Sequence, residues 1–145
     1  MDDDTRHCRT SRHLPHPPEA VWAALTDPLR LARWWGPAGF RNEVSACDVR
    51  PGGQWLFAMV APDGQSWANH CEFLTLDAPR RLEIRHVNAP WFTLGLTLLA
   101  EPGGTRLDWD QCFDDAATAE ALRARVTPAN EENLDRLAAE LSRSA

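Results

Sequence analysis

The sequence has 145 residues, 43% hydrophobic and 25% charged, which is a globular composition and the length of one domain rather than two. Its net charge of −6 excludes the broad basic face that nucleic acid demands. No apolar run reaches the ~18 residues of a membrane span, and the acidic start Met1-Asp2-Asp3-Asp4 lacks the basic-then-apolar order of a signal peptide, so a cytoplasmic protein is expected.

Residues 1–4 read as a frayed, disordered tail. Residues 5–14 read as a polar edge strand whose arginines discourage edge pairing. Pro15-His16-Pro17-Pro18 breaks it, and Val21, Trp22 and Leu25 then share one helical face. Asp27-Pro28 reads as an N-cap with Pro at the first helical position. A second short helix carries Leu31, Trp34 and Trp35 and ends at Gly36-Pro37.

From residue 41 to 113 the texture is that of strands. Turn signals recur at Pro51-Gly52-Gly53, Pro62-Asp63-Gly64, Asp77-Ala78-Pro79, Asn88-Ala89-Pro90 and Glu101-Pro102-Gly103-Gly104, which implies consecutive hairpins. Alternation puts Trp55, Phe57 and Met59 on one face, as it does Leu82, Ile84 and His86, then Phe92, Leu94, Leu96 and Leu98, then Leu107, Trp109, Gln111 and Phe113. Residues 67–76 alternate poorly. Their inward face is either Asn69, Cys71 and Phe73 or His70, Glu72 and Leu74, and a bulge would explain the ambiguity. The C-terminal stripe Asn130, Leu134, Leu137, Ala138 and Leu141 is helical. Pro128 is expected to kink or split that helix.

One apolar sheet face needs one cover, and only the C-terminal helix is long enough to supply it. The expected architecture is a single α+β domain over residues 1–145, with a curved antiparallel seven-stranded sheet, two short helices after strand 1 and a long C-terminal helix. A helix on a curved sheet fills the concavity unevenly, so an apolar pocket is expected between them. Its candidate walls are Trp35, Trp55, Phe57, Met59, Asn69, Cys71, Phe73, Ile84, His86, Leu94, Leu96, Trp109, Gln111, Asn130 and Leu134. His86 is the notable polar member, able to bond a guest or serve as acid or base. Asp48 and Arg50 read as a surface ion pair fixing a hairpin. The four cysteines form no C-x-x-C pair and the histidines lack metal spacing, so neither metal nor other cofactor is expected.

The motifs Pro17-x-x-x-Val21-Trp22, Thr26-Asp27-Pro28, Leu31-x-x-Trp34-Trp35-Gly36-Pro37, Asp48-x-Arg50-Pro51-Gly52-Gly53-x-Trp55, Pro62-Asp63-Gly64, Gly103-Gly104-Thr105-Arg106-Leu107 and Asn133-Leu134-Asp135-Arg136-Leu137 occur in that order. Together they resemble the homologues of the activator of the heat-shock protein 90 ATPase, within the START-like (SRPBCC) helix-grip superfamily. The resemblance runs from about Arg12 to Leu141. It implies a helix-grip fold with a ligand-accommodating cavity, and it does not imply one activity. His86 stands where an aromatic residue is common in the family, and Cys71 where Gly is usual.

The function expected is binding of a small apolar or amphipathic molecule. A stress- or chaperone-associated interaction factor is the alternative, with an exposed apolar patch around Trp34 and Trp35 that would meet a protein partner or a second copy in a homodimer. A cyclase- or aromatase-like enzyme is the third reading, and it needs at least two convergent polar groups in the pocket.

Overall fold

A computed structural model describes residues 3–144, so Met1 and Asp2 of the expected tail lie outside the described residues. Asp3–Arg6 form a 3-10 turn, and strand β1 is His7–Leu14. The expected strand start at Thr5 is therefore corrected. The segment is held from across the fold, because the Arg123 guanidinium donates to the carbonyls of Thr5 and His7, both at 2.8 Å.

Helix α1 (Pro18–Thr26) opens on its proline, and α2 (Pro28–Trp34) is capped by Asp27, whose Oδ1 accepts from the Leu29 N–H at 3.0 Å. Trp35 leaves the helix in an extended conformation and Gly36 follows at φ +99°, a backbone state that favours glycine. The remaining elements are β2 (Arg41–Cys47), β3 (Gln54–Val60), β4 (Ser66–Asp77), β5 (Arg81–His86), β6 (Phe92–Glu101), β7 (Gly104–Phe113) and α3 (Ala116–Ser144).

The seven strands form one antiparallel sheet in the order β1-β7-β6-β5-β4-β3-β2. β4 resolves the ambiguity left by its sequence. Its register shifts between Phe73 and Thr75, and Asn69, Cys71 and Phe73 are the residues on the core face. The bulge explains why the alternation was unreadable. At the β2–β3 turn Arg50 Nε donates to Asp48 Oδ2 at 2.7 Å on the surface, as the sequence suggested. Gly53 closes this turn because a Cβ there would lie 1.9 Å from the Asp48 carbonyl oxygen.

α3 runs without a break through Pro128, so the expected split does not occur. Pro128 and Ala124 are both exposed, and water can satisfy the Ala124 carbonyl that the missing N–H leaves unpaired. Packing on either side holds the helix together: Ala119 against Cys8 and Phe113, and Leu134, Leu137 and Leu141 in the main core. Removing the interruption should therefore stabilise. Pro128→Ala is expected to raise the unfolding free energy by about 1–3 kcal/mol, seen as a higher urea midpoint with unchanged slope. An unchanged or lower midpoint would show that the proline is needed for the packing.

Candidate functional site

α3 packs against β1, β7, α1 and α2. It thus covers one side of the sheet, and α1 and α2 fill the end of the core where Trp55, Phe73, Leu82, Leu96 and Leu107 lie. The other end of the same sheet face stays open. A cavity of about 240 Å³ lies there, walled by Phe57, Met59, Asn69, Cys71, Ile84, His86, Phe92 and Leu94 of β3–β6. Trp109 and Gln111 of β7 border it too, as do Ala129, Asn130 and Asn133 of α3, the Trp35–Pro37 segment and Pro90. The volume is below the ~300–1,000 Å³ of drug-sized ligand sites, so a guest must be small. None of the lining residues is an Asp, Glu, Arg or Lys.

The Trp35–Pro37 wall is built by α3. Asn133 Oδ1 accepts from the Gly36 N–H at 3.1 Å, and Arg136 donates to the carbonyls of Arg33, Trp35, Gly36 and Pro37 at 2.8–3.0 Å. These carbonyls lie at and beyond the C-terminus of α2, where they lack helical partners. Burial pushes the Arg136 pKa down. Trp35 itself meets Trp55 edge-on at 4.9 Å, Trp34 at 5.4 Å and Trp109 at 6.0 Å. The expected exposed patch at Trp34 and Trp35 is therefore a correction: both are buried, and Trp34 Nε1 donates to the Ala24 carbonyl at 2.9 Å. The exposed tryptophans are Trp67 at 49% and Trp91 at 45%.

His86 is 5% exposed and stacks on Phe92 at 4.6 Å. Its Nδ1 is 2.6 Å from the Pro90 carbonyl oxygen and its Nε2 is 2.8 Å from Asn69 Oδ1. A carbonyl only accepts, so Nδ1 carries the proton, and a neutral ring then accepts at Nε2 from Asn69 with its amide turned so that the –NH2 faces the ring. Burial lowers the His86 pKa, and the Pro90 carbonyl raises it by less. Both ring nitrogens are engaged, so acid–base work would first require breaking one of these bonds. His70 and Glu72 lie on the opposite face of β4. There His70 bonds Gln54 and neither joins His86.

A histidine held neutral has a defined pH signature. The unfolded chain takes up a proton near the ordinary value of about 6.5 that the folded chain resists. The contribution is absent above that pH and becomes destabilising as pH falls through it. Wild type is expected to lose more stability between pH 7.5 and 5.5 than His86→Gln, whatever their absolute stabilities. Equal pH dependence in urea titrations would contradict a buried neutral ring.

Of the fifteen sequence candidates, Trp35, Phe57, Met59, Asn69, Cys71, Ile84, His86, Leu94, Trp109, Gln111 and Asn130 border the cavity. Trp55, Phe73, Leu96 and Leu134 do not. They are buried in the filled end, with Trp55 stacked on Phe57 at 4.3 Å and on Phe73 at 5.9 Å. Sequence reasoning missed Gly36, Pro37, Pro90, Phe92, Ala129 and Asn133. Two of these had a signal: Phe92 shares the alternating face of Leu94, and Asn133 lies three residues after Asn130 on one helix face. On the wet face of β7, His7 Nδ1 is 2.7 Å from Asp110 Oδ1 and Cys112 Sγ is 3.5 Å from His7 Nε2. This row is on the other side of the sheet from the cavity.

An open antiparallel sheet of seven strands, two short helices after the first and one long helix gripped at the end define a helix-grip protein of the START-like class. The chain belongs to the family described as Activator of Hsp90 ATPase homolog 1-like protein, whose profile matches residues 15–142. A comparison with curated protein sequences finds no match. Among solved structures, the chain is similar to a protein of Nitrosomonas europaea, with a TM-score of 0.88 and 22% identity over 100% of this chain and 99% of that one. It is similar to a Chromobacterium violaceum protein at TM-score 0.81 and 29% identity, over 92% and 95% of the two chains. The AHSA1 protein of Silicibacter pomeroyi gives 0.76 and 23%, over 96% and 99%. No helix among the described residues is long and apolar enough to cross a membrane.

Proposed function

We propose that the chain binds a small apolar or amphipathic molecule in the cavity between the sheet and α3. One observation carries this reading: the core face is filled at one end and left open at the other. The open end has mainly apolar walls, with a few amide, imidazole and indole groups among them. That is the general composition of a small-molecule site. The START-like fold class supports the reading by analogy only, because one fold serves many uses. The engaged nitrogens of His86 favour binding over acid–base catalysis.

A ligand that binds the folded state stabilises it by RT ln(1 + [L]/Kd), about 2.7 kcal/mol at a hundredfold excess over Kd. A panel of small apolar compounds is expected to contain members that raise the melting temperature of wild type. Cys71→Phe, which puts a ring into the cavity, should lose that response while remaining folded. A panel that shifts neither protein, or shifts both equally, would overturn the proposal.

A further inference from the structure

We infer that Cys112 is a modification site: its thiol exchanges with small disulfides, with His7 as the base and Asp110 positioning the ring. The site lies on the wet face of the sheet and is independent of the cavity. Strand pairing builds it. His7 of β1 is the direct partner of Cys112 in β7, and Arg9 is the partner of Asp110. Residues two apart on a strand share a face, so His7, Asp110 and Cys112 stand on the same side. Directly paired side chains are about 4.5–5.5 Å apart at Cβ and diagonal ones about 7–8 Å, so one imidazole reaches both neighbours.

The ring is engaged at both ends. Its Nδ1 is 2.7 Å from Asp110 Oδ1 and its Nε2 is 3.5 Å from Cys112 Sγ. A carboxylate only accepts, so in the neutral ring Nδ1 holds the proton and Nε2 presents its lone pair to the thiol. The second Asp110 oxygen meets Arg9 Nε at 3.5 Å, which holds the carboxylate in place. Nucleophile, base and orienting acid thus stand in the order that activates a thiol. The His7 side chain is 15% exposed and Cys112 is half-buried, so the base is fixed while a small reagent reaches the sulfur from solvent. The other charges around the row are Arg85, paired with Asp114, Arg6 near Asp114, and Arg123, which donates to the His7 carbonyl. From β6 the thiol is flanked by the uncharged Thr93.

The other three cysteines are in different surroundings. Burial pushes the pKa of Cys8, Cys47 and Cys71 up, to about 11 for Cys47 and about 12 for Cys71, and buried thiols of that kind are inert. Cys8 follows His7 in the chain but points into the core with Phe113 and Ala119, so it cannot displace an adduct from Cys112. The exchange balances within its two reactants. The Cys112 proton passes to His7 Nε2, Sγ attacks one sulfur of the disulfide, the S–S bond breaks, and the departing thiolate takes the proton from His7. The protein thiol is oxidised to a mixed disulfide and half of the reagent is reduced to a thiol, so no further oxidant is needed.

Bis(2-hydroxyethyl) disulfide is a suitable probe, small and uncharged throughout, with the adduct followed by intact mass and located by peptide mapping. Wild type is expected to take one adduct, on Cys112, that dithiothreitol removes. Its rate should fall by less than about tenfold from pH 8.5 to pH 6.0, over which an ordinary thiol loses about 150-fold of its thiolate. That profile needs no variant to fold. Cys112→Ser should abolish the adduct. His7→Gln should react about tenfold more slowly at pH 6.0 and within about threefold of wild type at pH 9.5, where a thiol ionises without a base. Asp110→Asn should slow the pH 6.0 reaction by about threefold and leave the pH 9.5 rate unchanged, since it acts only through the ring. A first adduct on another cysteine, a wild-type rate that drops like that of an ordinary thiol, or a His7→Gln slowed equally at both pH values would overturn the inference. Each of these outcomes leaves the cavity proposal untouched.

Discussion

Trp35→Ala is expected to lower the unfolding free energy by about 3–5 kcal/mol, the usual cost of truncating a large buried aromatic side chain. The residue joins three parts of the fold at once. It follows α2, it touches Trp55 of β3 and Trp109 of β7, and its carbonyl accepts from Arg136 of α3. Its ring is also a wall of the cavity, so the space left by truncation would merge with a void already present and the surroundings would gain little by collapsing. A domain of this length has ~5–15 kcal/mol in total, so the variant should be marginal at 37 °C. Urea denaturation measures this directly. A loss under about 1 kcal/mol would show that Trp35 is peripheral and that the described packing is wrong.

Arg136→Met should cost about 1.5–3 kcal/mol, the range for hydrogen bonds from a charged donor. Methionine keeps an aliphatic stem of similar reach, so the loss isolates the guanidinium. Four carbonyls, from Arg33 to Pro37, converge on that group, and removing it leaves them to water or to nothing. The effect should not stop at stability. The Trp35–Pro37 segment would loosen, and any probe of the cavity should bind more weakly in a variant that is still fully folded at the assay temperature. Unchanged stability would mean that Asn133 alone holds the segment.

Much of this fold was legible in the chain. Alternation in four segments identified the inward face, the Pro- and Gly-rich turns separated the strands, and Asp27-Pro28 marked the start of α2. The bulge in β4 was not legible, because one extra residue reverses the alternation and leaves a pattern that fits both faces. Alternation also assigns a side, never an end. Trp55, Phe73 and Leu96 share the core face with Phe57, Asn69 and Leu94, and only the placement of α1, α2 and α3 decides which of them face space and which face other side chains. Pro128 misled for a local reason: a proline costs a helix one hydrogen bond, and contacts on both flanks outweigh it.

The hydrogen bonds around the cavity were harder still to foresee. Trp109 was visible as an inward residue, but whether its N–H finds a partner depends on side chains from several elements. Asn133 and Arg136 were visible as part of a motif, with no sign that they hold the loop after α2.

The central claim is that the end of the core bordered by Met59, Ile84 and Leu94 is apolar and enterable space. Crystals of the protein held under xenon pressure test it most directly, since xenon settles in apolar cavities and ignores packed cores. The account predicts a xenon site in contact with those three side chains and no site between Trp55, Phe73 and Leu96. Density only in the second place, or in neither, would contradict it.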